Sequence, residues 1–122
     1  MSIYKQFCNE IFDENGRLKK ITLNYPDNFN FGYDVVDAIA EKEPDKRALV
    51  WCNVEGEEHT FSFADVRKNS NQMANVLRDA GIGHGDRVML IMKRHYEYWF
   101  AAIALHKLGA GRIPATHLLS GS

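Results

Sequence analysis

The chain has 122 residues, of which 45% are hydrophobic and 25% charged, and its 15 basic and 16 acidic side chains leave a formal net charge of −1. That length allows one domain at most, and the composition excludes a disordered or fibrous chain. Both signs of charge are interspersed, so no patch for nucleic acid or an anionic membrane stands out, and the longest apolar stretch, the eight residues from Tyr98 to Leu105, is far too short to span a bilayer.

The first residues, Met1-Ser-Ile-Tyr-Lys-Gln-Phe-Cys8, carry no basic segment followed by an apolar one, so no secretory signal is visible. Cys8 and Cys52 are the only cysteines and form no metal-type pairing. They read as two reduced thiols, and the expected location is the cytoplasm. Residues 1–28 read as an irregular extension, with a short amphipathic run around Ile3, Phe7 and Ile11, a turn at Asp13-Glu-Asn-Gly16, and Pro26. This segment is expected to lie over something else rather than to form a core element.

From Phe29 the signals sharpen. Phe31, Val35 and Ile39 recur every four residues, with Val36 and Ala40 beside them, and predict one apolar helix face. Pro44 ends that helix and disfavours helical geometry at Glu43. Ala48 to Cys52 reads as a short buried strand, Glu55-Gly56-Glu57 as a turn, and Glu58 to Phe61 as the returning strand of a hairpin. Ser62 is placed to cap a long helix, with Asp65 three positions on in a weaker form of the capping box. Val66, Met73, Leu77 and Ala80 form its expected buried stripe, and Gly81 its stop, with Ile82 meeting Leu77. Arg87 to Met92 is a nearly unbroken apolar strand, the pattern of a sheet covered on both faces. Tyr96 to Leu108 predicts a helix closed by Gly109, and Arg112-Ile113-Pro114 a further extended run. Strand, helix and strand within this span make a βαβ unit, whose two strands should be parallel. The fold class is therefore α/β: a partial parallel sheet with flanking helices and one β-hairpin.

The last helix is apolar almost all round, through Trp99, Phe100, Ala101, Ala102, Ile103, Ala104, Leu105 and Leu108. Such a helix is buried on all sides, which a chain this small can hardly achieve alone. A partner is expected on the Trp99–Leu108 helix: the rest of a larger protein, or a copy of this chain.

No catalytic, cofactor-binding or metal-binding residue emerges from the sequence. Gly81-Ile-Gly83-His-Gly85 has helix before and strand after, the reverse of what a pyrophosphate-binding turn needs, so it reads as a helix stop and tight turn. His84, His95, His106 and His117 recur every 11 residues, but His95 and His106 on one helix face would stand about 16 Å apart. Metal ligands approach the ion at about 2 Å, so the spacing reads as coincidence, with His117 the one loop histidine to keep in view. No Gly-x-Ser-x-Gly elbow and no activated thiol is present. Glu41, Glu43, Glu55, Glu57 and Glu58 flank turns and read as solvated surface. Tyr96, Tyr98, Trp99 and Phe100 lack interleaved basic residues and read as packing rather than base stacking.

Several strings in order do carry a resemblance. Phe61-Ser-Phe-Ala-Asp-Val66, Gly85-Asp-Arg-Val88 and Leu105-His-Lys-Leu-Gly-Ala-Gly-Arg-Ile-Pro114 resemble motifs of the adenylate-forming (AMP-binding) superfamily. Phe29-Asn-Phe31, Glu43-Pro-Asp-Lys46 and Pro114-Ala-Thr-His117 push the likeness toward medium-chain acyl-CoA synthetases. The resemblance covers about residues 29–119 and implies the N-terminal portion of the large domain of such an enzyme; Ser120-Gly-Ser122 falls outside it and reads either as a vector-derived scar or as the end of a truncated gene. It implies a parent that joins a carboxylate to CoA through an acyl-adenylate, using ATP, Mg²⁺ and CoA. The family's phosphate loop, metal-binding acids and catalytic lysine match no position here, so this chain alone is expected to be inactive and to hold no cofactor. The alternatives are a self-sufficient small α/β module that binds a nucleotide or CoA, and a self-associating interaction fragment.

Overall fold

The computed structural model describes residues 2–121. After a 3₁₀ turn at Ile3–Gln6, strands β1 (Cys8–Phe12) and β2 (Leu18–Leu23) form an antiparallel ribbon. A π-helical segment, Phe31–Asp37, runs directly into α1 (Ala38–Lys42). β3 (Arg47–Cys52) and β4 (Glu58–Ser62) make a second antiparallel hairpin, and α2 (Phe63–Asp79) follows. β5 (Arg87–Ile91), α3 (Glu97–Leu108) and β6 (Gly111–Ala115) complete the chain, with β5 and β6 parallel in the register Arg87↔Gly111 to Ile91↔Ala115.

The βαβ unit and the α/β class are as the sequence implied, and the β3–β4 hairpin turns where Gly56 takes φ +87°. The N-terminal ribbon is a second hairpin in a stretch read as irregular. Its turn is the one expected: Asp13 Oδ1 accepts from the amides of Asn15 and Arg17, both at 2.9 Å, and Gly16 takes φ +75°. The amphipathic run around Ile3, Phe7 and Ile11 leads into this ribbon, where Ile11 is paired with Lys20. Every residue of β2 is exposed, so no buried face stamps an alternation on the sequence.

α2 begins and ends as its sequence dictates. Ser62 Oγ accepts from the Asp65 amide at 3.1 Å, and Asp65 Oδ2 accepts from the Ser62 amide at 2.9 Å, closing both halves of the capping box. At its end Gly81 N donates to Arg78 O and Ile82 N to Leu77 O, the paired bonds that a left-handed glycine permits. α3 ends the same way: Gly109 N donates to His106 O and Ala110 N to Leu105 O. The buried stripe of α2 differs from expectation. Val66 and Ser70 are buried, Met73 and Leu77 only half so, and Ala80 is exposed.

The core gathers around Val36, Val66 and Phe100, with Phe61, Phe63, Tyr96 and Ile103 against it. An edge-to-face aromatic contact, Phe61 to Phe100 at 5.2 Å, joins the β3–β4 hairpin to α3. The face assigned to the first helix is rotated by one residue: Gly32, Val36 and Ala40 are buried, while Phe31 is exposed and Val35 and Ile39 are half-buried. β5 is half-buried at Val88 and Leu90 but exposed at Met89 and Ile91, so one of its faces is bare here rather than covered.

Candidate functional site

α3 divides the molecule's functional possibilities. Phe100, Ala101, Ala102, Ala104, Leu105 and Lys107 are all buried by this chain itself. The helix therefore finds more cover than the size of the chain suggested, because three of these are alanines, which α2 and the π-helical segment can approach closely. What stays open is the face that carries Trp99, Ile103 and His106. An open groove of about 650 Å³ is lined by Phe31, Val36, Phe63 and Val66 together with Trp99, Ala102 and Ile103 of α3. Trp99 is 50% exposed at its rim.

One charged group borders this apolar surface. Arg112, on β6, donates from a guanidinium nitrogen to His106 Nε2 at 2.8 Å. Arginine has no acceptor atom, so the imidazole accepts and its proton sits on Nδ1. Burial, and next the neighbouring Arg112 charge, hold the His106 pKa below its ordinary value of 6.5. Among the described residues no carboxylate lies within ion-pairing distance of Arg112. The groove thus presents apolar walls and a cation that rests on a neutral ring.

The Lys107 side of α3 is closed. Lys107 is 7% exposed, and its ammonium donates to Asp37 Oδ1 at 2.8 Å, Ser70 Oγ at 3.0 Å and Asn71 Oδ1 at 2.7 Å. Three acceptors use all three protons, which is what makes a buried ammonium tolerable. Asn30 adds a brace, donating from Nδ2 to His106 O at 2.6 Å while its Oδ1 accepts from Gly32 N.

The motif strings serve as joints of this frame. Gly85 N donates to Gly109 O and Gly111 N to Asp86 O, so the start of β5 is stitched to the end of α3. Asp86 Oδ2 accepts from Gly83 N, which tightens the turn before it. A Cβ on Gly109 would fall 2.5 Å from His84 Nδ1, so only glycine fits there.

The residues present do not fit ATP with a metal ion. The N-terminus of α2 is satisfied by its own Ser62 and Asp65, and the first turn of α3 carries Glu97, an anion where a phosphate would have to sit. Glu97 Oε2 is the one buried side-chain oxygen without a partner among the described residues. The glycines at 81, 83 and 85 follow a helix rather than open one. His84 packs at Gly109, His95 precedes α3, His106 contacts Arg112 and His117 follows β6. Among the described residues, no three histidines, cysteines or acids converge on a metal site, and Cys8 and Cys52 are both free. Among them, too, no helix is long and apolar enough to cross a membrane.

Comparison with known proteins settles what these joints belong to. Residues 36–121 match the AMP-binding enzyme family. The chain belongs to that family. It is 38% identical over 104 residues to the human mitochondrial acyl-coenzyme A synthetase ACSM3, covering 80% of this chain and 18% of that protein. It is 35% identical over 101 residues to mitochondrial ACSM5 of Rattus norvegicus, covering 78% of this chain and 18% of the relative. The inhibitor-bound N-terminal domain of FACL13 from Mycobacterium tuberculosis superposes with a TM-score of 0.63 at 27% identity, over 75% of this chain and 22% of that one. The fatty acid AMP ligase of Legionella pneumophila shares the fold, with a TM-score of 0.66 at 24% identity over 70% of this chain and 15% of its own. The chain therefore spans less than a fifth of the length of these curated relatives.

The expectation of a cytoplasmic location is corrected by the same comparison. The human relatives ACSM3, ACSM4 and ACSM5 are mitochondrial by name, which points to the mitochondrion instead. Two free thiols do not distinguish one reducing compartment from another.

Proposed function

We propose that this chain is the N-terminal part of the adenylating domain of an ATP-dependent acyl-CoA synthetase, and that by itself it does not catalyse. In the complete enzyme a carboxylate attacks the α-phosphate of ATP to give acyl-AMP and pyrophosphate. The thiol of CoA then displaces AMP to give the thioester. The observation that carries this reading is the likeness to acyl-coenzyme A synthetases over 80% of this chain and only 18% of the relative. The contribution of these residues is architectural: the capped helices, the stitched β5–α3–β6 unit and the groove that further protein would cover. ATP, Mg²⁺ and CoA bind elsewhere in the complete enzyme.

Carboxylate-dependent exchange of pyrophosphate into ATP tests the proposal. The purified chain is expected to give none with medium-chain carboxylates, and measurable exchange would overturn the reading.

A second reading, self-association through α3, is favoured by the open groove and the half-exposed Trp99. Light scattering separates the two: a dimer that Ile103→Asp dissolves supports self-association, and a monomer at high concentration counts against it.

A further inference from the structure

Phe31–Asp37 is π-helical, whereas its sequence spacing predicts an ordinary α-helix. π turns are rare and usually single, so seven residues in this form need a cause. α3 supplies one. Gly32 packs against the stem of Lys107: a Cβ on Gly32 would lie 2.6 Å from Lys107 Cγ and 3.3 Å from the Ile103 carbonyl oxygen. Five residues later, Asp37 Oδ1 meets the tip of the same lysine at 2.8 Å. One side chain is therefore gripped along its length by residues 32 and 37.

An α-helix cannot make both contacts. At about 100° per residue, positions five apart point about 140° away from each other. A π turn closes from i to i+5 and brings them back to one side. Lys107 is also not free to compromise. Its ammonium is held by Ser70 and Asn71 of α2 and lies 5.4 Å from the Tyr33 ring centre. It is a fixed post, and the segment must wind to suit it.

We infer that Lys107 is a conformational latch: anchored on α2, it imposes the π register on Phe31–Asp37 through Gly32 and Asp37. The register has a consequence at the groove. Val36 lies inside the latched segment, packs with Val66 and Phe100, and forms one wall of the groove. Released, the segment rewinds to α geometry, Asp37 turns off α3, and that wall shifts.

Through-hydrogen-bond NMR couplings on the whole chain read the register directly. Asp34 N donates four residues back, to Asn30 O at 2.7 Å, so the register is read after it: in the unaltered protein the amides of Val35, Val36 and Asp37 are expected to couple to carbonyls five residues back. Lys107→Met keeps the apolar stem but removes the ammonium, and it is expected to lose those couplings in favour of ones four residues back. Because that change strands Asp37, the double variant Lys107→Met/Asp37→Leu is measured beside it and should show the same switch. Asp37→Asn, which keeps an acceptor for Lys107, should retain the five-back pattern. Five-back couplings that persist in a folded variant without the ammonium would overturn the inference, as would four-back couplings from the amides of Val35, Val36 and Asp37 in the unaltered chain. If neither variant lacking Lys107 folds, the lysine supports the whole fold rather than one register, and the latch falls.

Discussion

Two faces of α3 meet opposite fates. The Lys107 side is sealed by partners this chain carries itself, from Asn30, Asp37, Ser70 and Asn71. The face that carries Trp99, Ala102, Ile103 and His106 looks onto an apolar groove bordered by Arg112, with no such closure. One is apolar and loses by facing water, and the other holds a charge that has already been taken out of water. The polar side is the finished one. A buried charge left unmatched costs several kcal/mol, whereas an apolar wall left bare costs far less per residue. A short stretch of chain must therefore satisfy its charges internally, while an apolar surface can wait for whatever packs on it.

The contrast can be broken most strongly at the sealed side. Lys107→Met should destabilise the chain by about 3–5 kcal/mol, the usual cost of removing one member of a buried ion pair. Chemical denaturation would read it as a lower midpoint. Leu105, 1% exposed beside it, should lose about 2–5 kcal/mol on replacement by alanine. Ser62→Ala opens the capping box of α2 and should cost about 1 kcal/mol, measurable in the same titration.

A pH-dependent effect comes from His106. Its pKa is lower in the folded chain than in the unfolded one, so the unfolded chain takes up the proton first as pH falls. The stability that neutral His106 contributes is complete above about 6.5, declines as pH drops from there toward the folded pKa, and is constant below it. Melting temperatures across that window should fall with acid, and His106→Gln should flatten the slope. The smallest change in stability belongs to the open face: Trp99→Gln should alter it by no more than about 0.5 kcal/mol. Should Trp99→Gln prove as damaging as Leu105→Ala, the open face is not open.

What the sequence revealed was what it encodes locally. The capping box of Ser62 and Asp65, the glycine stops at 81 and 109, and the βαβ unit each depend on residues a few positions apart, and all appear where they were read. What it concealed depends on distant partners. Nothing local marks Ser70 as buried: its hydroxyl accepts from Lys107, far along the chain. The π register of Phe31–Asp37 follows from the same lysine, so no periodicity within that segment could announce it. The groove was foreshadowed by the apolar run from Trp99 to Leu108, but not its cationic edge, because Arg112 meets His106 only once β6 lies beside α3.

The N-terminal ribbon has a bearing on handling the protein. β2 offers a free backbone edge with Leu18, Ile21 and Leu23 half or more exposed, the kind of strand onto which another molecule can zip. Lys19 and Lys20 sit between those apolar residues. A second ribbon laid in parallel register would stack lysine on lysine, and the repulsion discourages fibril growth at low salt. Concentrated salt would weaken that safeguard before it weakened the fold.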